Sequence, residues 1–189
     1  MLTPQEKSYL LELAQKSLIA HFEGKTFEPK PPSPSLYPHL WEKRALFVTL
    51  YKERSLRGCV GNIAPEEALY KEVCKVVLAS AFEDPRFPPL NKEELPLIDI
   101  EISLLSPFKK VGPEEIVIGR DGIYVKKGFR RGLLLPQVAT ENNWDRETFL
   151  AHACLKAGLP KDCYLDPEVE IYVFTVEVIR ESEKSSLIL

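Results

Sequence analysis

The sequence predicts an α+β fold, a mostly antiparallel sheet with flanking helices, and three observations carry that expectation. Ala45 to Tyr51 and Leu56 to Asn62 are apolar stretches on either side of the polar Lys52 to Ser55, the two arms of a β-hairpin. Leu97 to Leu105 alternates, with Ile98, Ile100, Ile102 and Leu104 on one face and Asp99, Glu101 and Ser103 on the other. That period of two marks an antiparallel strand with one buried side. Two segments with apolar residues at helical spacing, one before and one after the hairpin, supply the covering helices.

Taken in order, Thr3 is the N-cap of the first helix, Pro4 its first residue and Glu6 the return half of a capping box. Leu10, Leu13, Ala14, Ser17 and Leu18 form its inner face, and it is expected to run to about His21 and stop before Gly24. His21 reads as a favourable charge at the helix C-terminus rather than as a catalytic group. Pro29, Pro31, Pro32, Pro34 and Pro38 then impose an extended surface crossing. After the hairpin, Pro65, Glu66 and Glu67 are expected to start a helix that reaches about Phe82, its N-terminus lying beside Arg57 and Cys59.

A loop from Phe82 to Leu90, stiffened by three prolines, holds Arg86 between apolar neighbours and precedes the alternating strand. Short strands are expected at Ile116 to Ile118, Gly122 to Val125 and Leu133 to Leu135, forming a small glycine-rich β subdomain at about 107–135 within a single 1–189 domain. Asp145 caps a further helix that Gly158 ends; Glu170 to Val178 reads as the last strand and Glu181 to Leu189 as a mobile tail.

The composition bounds the function classes. A chain of 189 residues can bury a proper core, and its formal net charge of -3 excludes wholesale binding of a polyanion. No basic segment precedes an apolar run at the amino end and no stretch has the apolar length of a membrane span, so the expectation is a soluble cytoplasmic protein with no membrane role. The four cysteines, Cys59, Cys74, Cys154 and Cys163, are irregularly spaced, with no CxxC pair and no histidine at ligand spacing. Neither a metal site nor a disulfide framework is expected, and Cys74 and Cys154 read as small buried hydrophobes. Sixteen prolines, one methionine and many Lys and Glu residues resemble the usage of thermophilic proteins.

Four segments, Leu56 to Gly61, Ala81 to Leu90, Glu101 to Pro107, and Gly132 to Ala139 followed by Lys156 to Leu159, together resemble the AMMECR family, also called AmmeMemoRadiSam system protein A. The resemblance spans nearly the whole chain in the same order. It implies an α+β fold of two subdomains, with the Arg57 to Cys59 segment close to a cleft, and relatives found alongside a Memo-like protein and a radical SAM protein. It brings no established reaction and leaves any cofactor unknown. Around Cys163 and Tyr164 the chain departs from the family pattern, in which a tryptophan is expected.

The chemistry concentrates in Leu56 to Gly61. Alternation would put Arg57 and Cys59 on one strand face, about 6.6 Å apart at ~3.3 Å per residue. An arginine and a helix N-terminus nearby would favour a thiolate and make Cys59 a nucleophile, while Gly58 and Gly61 would let substrate approach the backbone. The same residues also read as packing, with Cys59 under a helix, Arg57 paired with a carboxylate and the glycines relieving crowding. Glu101 could act as acid or base, or as the partner of Arg57 or Arg86; Arg86 could bind an anion or be locked by Asp84. His152 reads as a surface or core residue.

Two functions are therefore expected: an enzyme, or enzyme component, that binds an anionic substrate in a cleft with catalytic Cys59 and Glu101 and binding residues Arg57, Gly58, Gly61 and Arg86, or a noncatalytic adaptor for the Memo-like and radical SAM proteins. A third, RNA binding, would use the cluster Lys126, Lys127, Arg130 and Arg131 around Phe129.

Overall fold

The computed structural model describes residues 1–181. The expected tail therefore lies outside the described residues, except for Glu181. The chain divides into two compact units, one of Met1–Leu104 with the described residues from Glu177 on, the other Leu105–Val176. The fold is α+β, built on two four-stranded sheets.

The first unit opens with α1 (Pro4–Phe22), and both halves of its capping box form: Thr3 accepts from the Glu6 amide and Glu6 accepts from the Thr3 amide. β1 (Leu46–Lys52) and β2 (Ser55–Asn62) make the hairpin, and α2 (Leu69–Phe82) leads through a loop to β3 (Ile98–Leu105). With β8 (Val176–Arg180) they form a sheet in the order β2-β1-β3-β8. Leu46, Val48 and Leu50 of β1, Ile102 and Leu104 of β3, Leu10 and Leu18 of α1, and Val73 and Val77 of α2 are fully buried together. Each such side chain contributes about 1.5–3 kcal/mol by leaving water. The two helices thus cover one face of this sheet; the other holds Thr49, Cys59, Asp99 and Glu101.

α2 begins at Leu69, later than Pro65 to Glu67 suggests. Asn62 Oδ1 accepts from the Ala64 amide, a turn that competes with helix, and the Leu69 amide donates to the Glu42 carbonyl. On β3 the even-numbered face is buried as expected, but so are Glu101 and Ser103 on the odd-numbered face; only Asp99 is exposed there.

The second unit contains β4 (Lys109–Lys110), β5 (Gly122–Lys127), β6 (Arg130–Leu134) and β7 (Glu170–Phe174), in the order β4-β7-β5-β6, with α3 (Pro136–Glu141) and α4 (Arg146–Lys156). Asp145 caps α4 through the Thr148 amide, and Gly158 follows it at φ +71, as the sequence indicates. Three expectations are corrected here. Ile116 to Ile118 is not a strand: the Asp121 carboxylate accepts from the Val117 amide and the Asp121 backbone amide donates to the Val117 carbonyl, closing a turn.

The single strand expected from Glu170 to Val178 is broken at Thr175, whose amide and carbonyl both bond to Ser106, so that β7 and β8 belong to different sheets. Cys154 and Cys163 form a disulfide, although no disulfide was expected from the cysteine spacing. The chain reverses after α4 and brings their Cα atoms to 5.8 Å, both side chains buried. Spacing along the chain does not reveal which thiols the tertiary fold brings within bonding distance.

Candidate functional site

The β1–β2 pairing decides what the Arg57 to Gly61 stretch presents. Leu50 lies opposite Gly58 but Tyr51 lies opposite Leu56, so Arg57 is the extra residue of a β-bulge. The bulge ends the simple alternation. It puts Leu56 on the same face as Cys59 and turns Arg57 to the loop that follows α2.

There Arg57 makes a two-point bond to Glu94, Nε to Oε1 at 3.0 Å and Nη2 to Oε2 at 2.8 Å, and donates to the Pro88 and Pro89 carbonyls. Lys52 adds a second cation to Glu94 at 3.0 Å. The Arg57 and Glu94 side chains are each 11% exposed. Hydrogen bonding from Arg57 outweighs burial and holds the Glu94 carboxyl down at about 2. Arg57 thus fastens the proline loop to the strand, and Glu94 is a partner that sequence reading missed.

Gly58 faces α2, where a Cβ would stand 2.1 Å from the Ser80 carbonyl oxygen. Ser80 is wedged into the hairpin, donating to the Val48 carbonyl and accepting from the Val60 amide. At Gly61 a Cβ would meet the Phe47 ring at 2.2 Å. Both glycines are occupied by protein. Because Ser80 belongs to the C-terminal end of α2, the expected helix N-terminus does not lie beside Cys59. Leu69 is eleven residues back, about 16 Å at ~1.5 Å per residue.

Cys59 is a half-buried free thiol on the helix-free face. It lies directly opposite Thr49, whose hydroxyl donates to Sγ at 3.2 Å. Its main chain is gripped at the sheet edge: the amide donates to Asp84 Oδ2 at 2.8 Å and the carbonyl accepts from Arg86 Nη2 at 3.2 Å. Asp84 is buried and binds Arg86 through Nε and Nη2, bonds that hold its carboxyl well below the usual range despite burial. The Arg86 side chain is 56% exposed, and its Nη1 has no hydrogen-bond partner among the described residues. It is both locked by Asp84 and open on one edge.

Glu101 lies opposite Thr49 on the other side, so Cys59, Thr49 and Glu101 form one row across three strands. At ~4.8 Å per strand, the Cys59 and Glu101 backbones are about 9.6 Å apart. The partner of Glu101 is Arg180, Nε to Oε2 at 2.6 Å, rather than Arg57 or Arg86. Thr49 and Arg180 carry no motif; only the strand register brings them here.

The other polar side chains singled out by sequence have local roles. His21 stacks on Phe82 with centroids 4.0 Å apart, and His152 stacks on Trp144 at 3.8 Å. In the basic hairpin, Lys127 pairs with Asp166 at 2.6 Å, Lys126 approaches Glu170 at 3.9 Å and Arg130 donates to the Gly158 carbonyl. Phe129 at the tip is 100% exposed.

The family model of AMMECR1 matches residues 11–179. The chain belongs to the AMMECR1 family. A protein of Thermococcus gammatolerans is 45% identical over 185 residues, covering 92% of this chain and 89% of its own length. Protein MK0488 of Methanopyrus kandleri is 46% identical over 193 residues, covering 96% and 91%. The crystal structure of the uncharacterized protein PH0010 from Pyrococcus horikoshii superposes with a TM-score of 0.84 at 40% identity, covering 94% of this chain and 92% of that one. None of these names states an activity. No helix among the described residues is long and apolar enough to cross a membrane.

Proposed function

We propose that this AMMECR1-family protein is a cytoplasmic enzyme, or the substrate-binding component of one, that takes an anionic small molecule or modified macromolecule beside Cys59. The observation that carries the reading is the treatment of that residue: its backbone is pinned at both polar atoms by the Asp84–Arg86 pair, and its sulfur accepts a hydrogen bond from Thr49. The Thr49 hydroxyl holds the sulfur in one orientation on the strand surface, where a nucleophile meets its substrate. Arg86 offers its open edge to an anion, whereas Arg57 maintains the loop that carries Arg86. Cys59 would add its sulfur electron pair to an electrophilic carbonyl-type carbon as the carbon–oxygen π pair moves onto oxygen, and the S–H proton would pass through water to Glu101.

Alkylation by iodoacetamide tests this cleanly. Cys154 and Cys163 are tied in the disulfide, and burial pushes the Cys74 thiol up to about 11, so the native protein reports Cys59 alone near neutral pH. The expected rate at neutral pH exceeds that of the same thiol in the urea-unfolded chain and falls in Thr49→Val and Arg86→Gln. A native rate no faster than the unfolded one removes the nucleophile.

The engagement of Arg57 by Glu94 and of Glu101 by Arg180 favours a second reading, a noncatalytic adaptor for a Memo-like and a radical SAM protein. Under it, Cys59→Ala would retain full activity in genetic complementation while charge changes on an exposed patch abolish it.

A further inference from the structure

On the helix-free face of the first sheet, starting at the Glu101 end of the Cys59 row, the β1–β2 turn and the strand ends line a depression of about 560 Å³ with Tyr51, Arg54, Asp99, Glu101, Arg180 and Glu181. The volume falls within the ~300–1,000 Å³ typical of small-molecule sites. Its charges are mixed, two guanidiniums against three carboxylates. A phosphate-like dianion would face those three carboxylates at close range, and a simple cation would face the guanidiniums.

Two of the charged groups have work left to do. Glu101 is bound by Arg180 at 2.6 Å, but the side chains of Arg54 and Asp99 have no ion-pair or hydrogen-bond partner among the described residues, and they do not pair with each other. Asp99 lies directly opposite Tyr51, and Arg54 stands in the turn two residues beyond Lys52. Opposite charges held apart in one concavity are matched by a molecule that carries both signs itself.

The backbone points to the same group. Glu53 and Arg54 both take positive φ, 51° and 66°, the signs of a type I′ hairpin turn that ordinarily uses Asn and Gly. The chain holds an arginine where glycine would sit more easily.

We propose that this depression binds a small zwitterion, an α-amino acid or short peptide with free termini, its carboxylate on Arg54 and its ammonium on Asp99. The binding is an equilibrium that requires no reactive thiol, so it stands or falls apart from the chemistry of Cys59.

The test is thermal shift and calorimetric titration of the full chain with a panel of L-amino acids and of dipeptides. Each is compared with its N-acetylated and methyl-ester forms, and inorganic phosphate serves as the single-sign control. The expected result is stabilisation by one or more zwitterions, lost when either end is blocked, and not reproduced by phosphate. Preference between the amino-acid and dipeptide arms names the source of the ligand. Arg54→Gly, which suits the turn and so preserves the fold, is expected to weaken binding by about tenfold or more, the worth of one charge-assisted hydrogen bond, and Asp99→Asn to do likewise. No binding by any zwitterion, equal binding of the blocked forms, tighter binding of phosphate, or undiminished binding by Arg54→Gly would each overturn the proposal.

Discussion

Replacing Glu94 by Gln separates the clamp on the proline loop from everything else in the site. In the native protein the Glu94 carboxyl is held at about 2, down from an ordinary 4.5, chiefly by the hydrogen bonds from Arg57 working against burial, with help from the Asn91 amide and Lys52. A folded-state value below the unfolded one means that the contribution is fully present above about pH 4.5 and is lost as pH falls through about 2. The gap of about 2.5 pH units (4.5 − 2), at about 1.36 kcal/mol each, sets a ceiling of about 3 kcal/mol.

At neutral pH Glu94→Gln also strands Arg57 with 11% of its side chain exposed, and breaking a buried pair from one side costs about 3–5 kcal/mol. Urea titrations followed by circular dichroism, at about pH 7, about pH 4.5 and about pH 2.5, measure both effects. The variant should be less stable than the native protein at neutral pH, and the difference should shrink towards the acid end. Asp84, also held low by its arginine, contributes to the acid loss of both proteins and cancels in the comparison. If the two stability curves run parallel from neutral to acid, Glu94 is not an ionised clamp and the assignment of Arg57 fails.

Gly58→Ala should cost more than about 2 kcal/mol, a Tm drop of roughly 4–8 °C by scanning calorimetry, because the intruding methyl meets the backbone of α2. Gly61→Ala meets only a side-chain ring and should cost less. Reducing the Cys154–Cys163 bond, or Cys154→Ser, should destabilise by about 2.7 kcal/mol, the loop-closure entropy of a ring of about ten residues, read as a lower Tm in reductant. Arg54→Gly should raise stability by about 1 kcal/mol in the same measurement, since glycine takes φ +66 without the steric penalty.

Much of the fold was legible because the signals are local. The capping box of α1, the hairpin, the alternation of Ile98 to Leu104 and the Asp145 cap of α4 each need only a few residues of context. The lock between Asp84 and Arg86, two residues apart, was readable for the same reason. Less legible were features decided by a competing bond from a distant residue: the Glu42 carbonyl on the first amide of α2, and Ser106 at the break between β7 and β8.

The sequence by itself determined the family and the α+β class, because those depend on residue types and on spacing along one strand or helix. Tertiary structure alone decided the partners. A perfect two-residue hairpin pairing Lys52 with Ser55 would set Thr49 opposite Gly58; the bulge at Arg57 shifts it opposite Cys59. Arg57 finds Glu94 37 residues away, and Glu101 finds Arg180 79 residues away. Charge pairing reaches only a few ångströms, so it depends on which loop folds over which strand end, and the order of residues along the chain does not contain that distance.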